Sequence, residues 1–243
     1  MQYEEISYTV IRSPRRKTTS IIIRPDNRVE VRAPNRMPAA RIEAFVQQKS
    51  DWIRKRLHFN HNVRTPIQAK SFEPGESFQL RGQAYTLELQ HGHRNVQIGA
   101  NGLISNRLYP DRPCPTRLIV THPAATTDTT RKQITVWYRQ QAEAHFTDRC
   151  TSIATQTGKQ PCSVGVKAYK SRWGTCFHDG RIYFNWRLIM APDDIIDYVV
   201  THELCHLIHP NHSAAYWALV RAHKPDYQQA AQWLKINGAS LDL

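Results

Sequence analysis

The sequence His202-Glu203-Leu204-Cys205-His206, followed six residues later by His212, constrains the fold of this chain more than any other feature. Two histidines four apart on a helix lie about 40° apart around its axis and one turn along it, so both imidazoles can reach one metal ion. Glu203 sits roughly 60° further round, close enough to touch a metal-bound water without ligating. His212 can join them if the chain turns back after the helix. Pro210 supplies the turn, and His212 beyond it completes three ligands, leaving a fourth position for water.

The helix is well framed. Pro192 suits its first position, and Asp193 and Asp194 complement the positive end of the helix dipole. Ile196, Val200, Leu204 and Leu207 form one stripe; Ile195, Val199, His202 and His206 form the neighbouring one. Past Pro210, Asn211 or Ser213 can cap a helix carrying Tyr216, Trp217 and Val220, and Pro225 opens a last helix through Trp233.

His209 and His212 compete as third ligand. His209 follows His206 by three residues and points away from the metal more easily than towards it, so His212 is preferred. The spacing from His202 to His212 equals that of the metzincins, but His209 stands where their glycine falls and no methionine follows Met190, which disfavours that class. Zinc would lower the pKa of its water towards about 7, and Glu203 would accept the proton during attack on a polarised carbonyl and return it to the leaving amine. Tyr169, Arg172, Tyr198 and His209 are candidates for an oxyanion donor.

Upstream, short β-branched runs at Tyr8–Arg12, Thr19–Arg24 and Arg28–Arg32 predict strands, with Pro25-Asp26-Asn27 as a turn. One helix is expected near 38–58 from Ile42, Phe45, Val46, Ile53 and Leu57. Strands at Ser77–Leu80, Ala84–Leu89, Val96–Ile98 and Leu103–Ser105 predict a small antiparallel sheet. Residues 110–130, rich in Pro and Thr, read as a loop or boundary. A long helix is expected over Thr130–Thr157 with Gly158 as its stop, then strands at Val164–Ala168 and Ile182–Asn185. The expected organisation is a β-rich region over 1–110, a loop or insertion over 111–129 and a catalytic region over 130–243.

Five scattered cysteines without a C-x-x-C pair argue against a disulfide framework and a thiolate zinc ribbon, and Cys205 reads as a small packed residue. The first residues lack the apolar stretch of a signal peptide, and no run approaches a membrane span, so a reducing cytoplasm is the expected setting. The net charge is +13, and residues 1–60 carry thirteen Lys/Arg against six Asp/Glu. That bias attracts nucleotides, nucleic acid or acidic protein surfaces, although solvated basic faces account for it as well.

Several motifs in order, Ser171-Arg172-Trp173-Gly174-Thr175-Cys176, Ile182-Tyr183-Phe184-Asn185, Ala191-Pro192, Tyr198 to Leu207, Asn211-His212-Ser213 and Tyr216-Trp217, resemble the YgjP-like metallopeptidase family, related more distantly to the SprT and Spartan proteases. The resemblance is strongest over residues 160–235. It implies an α+β fold with a zincin-like catalytic region, zinc held by His202, His206 and His212, Glu203 as acid/base, and a peptide or protein substrate pairing with the edge of the 182–185 strand. Thr175 stands where the family commonly has serine, and Tyr216 where it commonly has phenylalanine. Hydrolysis of nucleoside triphosphates such as UTP, described for some members, is the alternative activity; a nucleic-acid-associated protease of SprT type is another.

Overall fold

The computed structural model describes residues 6–24, 26–63, 65–66, 69–99 and 116–243. The chain forms two compact units, 1–67 and 68–243. Both mix helices and sheets, and the fold is α+β.

In the first unit, β1 (Thr9–Ser13), β2 (Ser20–Ile23) and β3 (Val29–Pro34) form a sheet of order β1-β3-β2. β3 runs parallel to β1 and antiparallel to β2. Its period-two pattern turns Val29, Val31 and Ala33 inward against Ile42 and Val46 of α1 (Ala39–Gln48) and Ile53 of α2 (Ser50–Asn62). Asn27 sits at φ 67° in the β2–β3 turn; Pro25 lies outside the described residues. The single helix expected near 38–58 is in fact two. Lys49 leaves helical geometry (φ −101°, ψ 6°) while its N–H still reaches the carbonyls of Phe45 and Val46. Ile42, Val46 and Ile53 all face one core, so their spacing hides a break that no Gly or Pro announces.

The second unit carries a four-stranded sheet, β4 (Ser77–Leu80), β5 (Gln83–His91), β6 (Asn95–Gly99) and β7 (Arg117–His122), in the order β4-β5-β7-β6. Two expectations are corrected here. The sheet is mixed, because β5 and β7 run parallel, and β7 arises inside the stretch read as a loop. Its alternation buries Leu118, Val120 and His122, and that local pattern outweighs the surrounding Pro and Thr. Leu103–Ser105 and residues 111–115 lie outside the described residues. The compact units also part at 67/68 rather than near 110, because Leu87, Leu118 and Val120 of this sheet share a core with Ile134 and Tyr138 of the long helix that follows.

That helix, α3 (Thr127–Thr157), begins three residues earlier than expected, with a reciprocal capping box between Thr126 and Thr129, and ends at Gly158 with φ 77°. A third sheet has β8 (Ser163–Lys167), β10 (Arg181–Asn185) and β9 (Gly174–Cys176) in the order β8-β10-β9. β10 is flanked on both sides, parallel to β8 and antiparallel to β9. Its edges are therefore taken, contrary to the expectation of a free edge at 182–185; β9 is the outer strand beside the cleft. A buried 3-10 turn, Trp186–Met190, leads into α4 (Asp193–Cys205), then α5 (Ala214–His223) and α6 (Tyr227–Asn237).

The β4–β5 turn fixes where α4 starts. Arg81 and Gly82 both have positive φ, and their N–H groups donate to the carbonyls of Ile189 and Met190 at 2.8 and 3.2 Å. A Cβ on Gly82 would meet Pro192 at 3.0 to 3.2 Å, so only glycine satisfies both the turn and the contact. Arg81 then clamps Asp193 in the first turn of α4 through two hydrogen bonds. Among the described residues no helix is long and apolar enough to cross a membrane.

Candidate metal centre

Nine of the thirteen residues of α4 are buried, including Ile195, Ile196, Val199, Val200 and Leu204. A helix apolar on most faces is held by its surroundings, so the positions of its last side chains are set by packing. The helix ends at Cys205, and His206 occupies the C-cap with φ −67° and ψ −20°. The chain then turns at Pro210, and Ser213 caps α5 by accepting a hydrogen bond from the Tyr216 N–H.

This turn brings the third histidine back. Ligand atoms of His202, His206 and His212 all lie within 4.8 Å of one another. Nε2 of His202 and Nε2 of His212 are 3.2 Å apart, near the edge of roughly 3.4 Å for a tetrahedron with nitrogen–zinc bonds of about 2.1 Å. Nδ1 of His206 lies 3.1 Å from the carbonyl oxygen of His209, which leaves Nε2 of His206 as its free donor. His209 thus offers the cluster its backbone, not its ring. Nδ1 of His202 is buried without a hydrogen bond among the described residues.

Aromatic contacts orient the rings instead. Tyr216 is fully buried, stacks on His206 with centroids 4.6 Å apart, and donates its hydroxyl to the His202 carbonyl at 3.0 Å. Trp217 stacks on His212 at 5.5 Å and on Tyr227 at 5.3 Å. Burial, with the neighbouring His206 and His212, pushes the His202 pKa down to about 3, and burial lowers that of His206. The cluster presents three imidazole nitrogens, with burial favouring the neutral form of His202 and His206, a donor set that suits a borderline ion such as zinc.

Glu203 is only 5% exposed, and burial pushes its pKa up to about 7, opposed by the Cys176 N–H and the Arg172 charge. Its carboxyl lies against the backbone of β9. A Cβ on Gly174 would stand 2.5 Å from Glu203 Oε1 and 2.6 Å from its Cγ. The motif quoted from the sequence contained Gly174, but nothing in the sequence paired it with Glu203; a glycine within a strand was the signal available. Asn185 is a second such residue, its side chain donating to the carbonyls of Tyr169 and Arg172 and holding that loop in place.

Two cavities flank Glu203, sharing Arg172, Gly174, His202 and Glu203 as walls. One, about 370 Å³, is completed by Trp173, Tyr198, Val199, Ala231 and Leu234. The other, about 380 Å³, is bounded by β9, Phe177, His206 and His212. Of the oxyanion candidates, Arg172 borders both and Tyr198 the first, while Tyr169 and His209 border neither. A larger cavity, about 530 Å³, lies elsewhere, between Arg81, Tyr85, His145 and Asp193. Cys205 is fully buried with Tyr216 and Val220, and burial raises its thiol pKa to about 11, in keeping with a packed, unreactive residue.

The chain is similar to the crystal structure of the metallopeptidase zymogen of Pyrococcus abyssi abylysin, with 20% identity and a TM-score of 0.33 over 38% of this chain and 97% of the other. No curated protein matches the chain. The model of the YgjP-like metallopeptidase domain matches residues 17–237, nearly the whole length, and the chain belongs to that family.

Proposed function

We propose that this protein is a zinc-dependent peptidase in which His202, His206 and His212 hold the metal and Glu203 is the acid/base. The observation that carries the reading is the convergence of three imidazoles next to a buried carboxyl whose pKa is pushed up to about 7. Zinc supplies Lewis-acid polarisation of a carbonyl and acidifies water. Glu203 accepts the proton of the attacking water on a carboxylate oxygen and returns it to the amine nitrogen as the peptide bond breaks. Gly174 and the Cys176 N–H hold that carboxyl at the floor of the cleft.

The outer edge of β9 gives an extended peptide a partner for its backbone, and the two cavities on either side of Glu203 receive side chains to each side of the cleaved bond. Arg172 borders both cavities and is the best-placed donor for the developing oxyanion. A soluble cytoplasmic setting is part of the same proposal.

The test is to assay zinc-loaded protein and Glu203→Gln on a peptide library and on UTP in parallel. Peptide cleavage lost in the variant supports the proposal. Peptide cleavage that persists in Glu203→Gln overturns the role of Glu203; UTP turnover without peptide cleavage replaces the peptidase by a nucleotide hydrolase.

A further inference from the structure

The register of the first sheet gathers positive charge at one end. Ser13 of β1 pairs with Pro34 of β3, and Ser20 of β2 pairs with Arg32. The β1–β2 connection and the β3–α1 loop therefore emerge from the same end of the sheet. The first carries Arg15, Arg16 and Lys17; the second carries Arg36 and leads to Arg41 in the first turn of α1. Arg12 joins the two loops, its guanidinium donating to the carbonyls of Asn35 and Met37 at 2.9 and 2.7 Å. The Thr19 hydroxyl adds a contact to Met37 Sδ at 3.0 Å.

Among the described residues these cations have no carboxylate partner. None of Arg15, Arg16, Lys17, Arg36 and Arg41 forms an ion pair among the described residues, and all but the half-buried Arg16 are exposed. Glu43 is the one carboxylate in residues 12–25 and 31–50. The opposite end of the same sheet is balanced, with Arg24 on Glu30 and Arg28 on Asp26. Within this sheet and its loops the unpaired charge lies at one end.

We infer that this end of the first unit binds the phosphate backbone of nucleic acid. Four guanidiniums to one ammonium favour phosphate, which the planar fork grips through paired hydrogen bonds. Cations spread over two braced loops fit an extended chain of phosphates better than one small anion. Residues 13–19 and 35–41 contain none of the exposed large apolar side chains that insertion into a lipid surface requires. The inference is independent of the peptidase reading.

Fluorescence anisotropy of the full chain with a labelled 20-base-pair duplex, titrated with potassium chloride, tests it. Five phosphate contacts give log affinity a slope of about −4.5 against log salt. R15E/R16E/K17E should weaken binding at least about tenfold and reduce the slope by about 3, while K132E/R139E/R221E, an equal charge change on exposed residues of the second unit, should weaken it less than threefold (about 0.6 kcal/mol). Circular dichroism and thermal melting confirm that both variants fold. Glu203→Gln should bind like wild type. Equal weakening by the two triple variants, absence of binding at low salt, or binding to phosphatidylserine vesicles without binding to the duplex would each overturn the inference.

Discussion

Gly174 and Glu203 are in contact across the cleft, the strand backbone at Gly174 passing so close to the carboxyl that a single added methyl group would stand 2.5 Å from Oε1. The consequence is a site in which the acid/base is positioned by a missing side chain. Gly174→Ala must push the carboxyl aside, and a displacement of about 1 Å at a reacting group costs roughly a hundredfold in rate. We expect kcat/KM for peptide cleavage to fall at least that far while zinc content, measured by elemental analysis, stays at one per chain. Retention of full activity would show that Glu203 has room to move.

The three imidazoles converge without help from the His209 ring. Zinc should therefore raise the melting temperature of wild type and of His209→Ala, since a ligand at a hundred times its Kd stabilises by about 2.7 kcal/mol. His212→Ala should lose that zinc-dependent shift. The reverse pattern, with His209→Ala insensitive to zinc, would exchange the two residues.

Trp217 stacks on the exposed His212 ring, which Tyr216 also meets edge-on at 4.8 Å. Supporting contacts of metal ligands are worth ten- to a hundredfold in affinity. Trp217→Ala should weaken zinc binding by about tenfold in a chelator competition, with helical circular dichroism unchanged; Tyr216→Phe keeps the stack on His206 and should cost only about 1 kcal/mol of stability for its lost hydrogen bond to the His202 carbonyl.

In metal-free protein, burial of Glu203 opposes folding when the carboxyl is ionised. Its pKa rises from 4.5 unfolded to about 7 folded. A raised folded pKa gives a contribution fully present below 4.5 that is lost as pH climbs through about 7. Metal-free Glu203→Gln, which stays neutral, should gain on wild type by about 3 kcal/mol between pH 4 and pH 8. Urea unfolding at the two pH values measures the gap; a constant difference would show that the carboxyl is well solvated.

The parts of the fold that could be read from the chain are those encoded by local patterns. α4 was legible because its first-turn acids, apolar stripes, histidine spacing and terminal proline all agree, and α3 because Gly158 and a periodic buried face bound it. The His202–His206–His212 cluster followed from spacing plus the turn at Pro210. The break at Lys49 escaped because Ile42, Val46 and Ile53 keep helical spacing across it. β7 escaped because its place between β5 and β6 is a long-range pairing, invisible in the Pro- and Thr-rich composition around it. The contact of Gly174 with Glu203 and the occupied edges of β10 are likewise tertiary, made by residues far apart in sequence.

The β4–β5 turn gives α4 one anchored foot and one working end. Through Arg81 and Gly82 the four-stranded sheet grips the helix where it starts, and about 15 Å of stiff helix separates that grip from His202 and about 20 Å from His206. α4 is packed along its whole length, so a shift of its start at Pro192 is passed along a stiff rod to His202 and Glu203. The fidelity of the metal centre is thus set in part by a turn that never touches it.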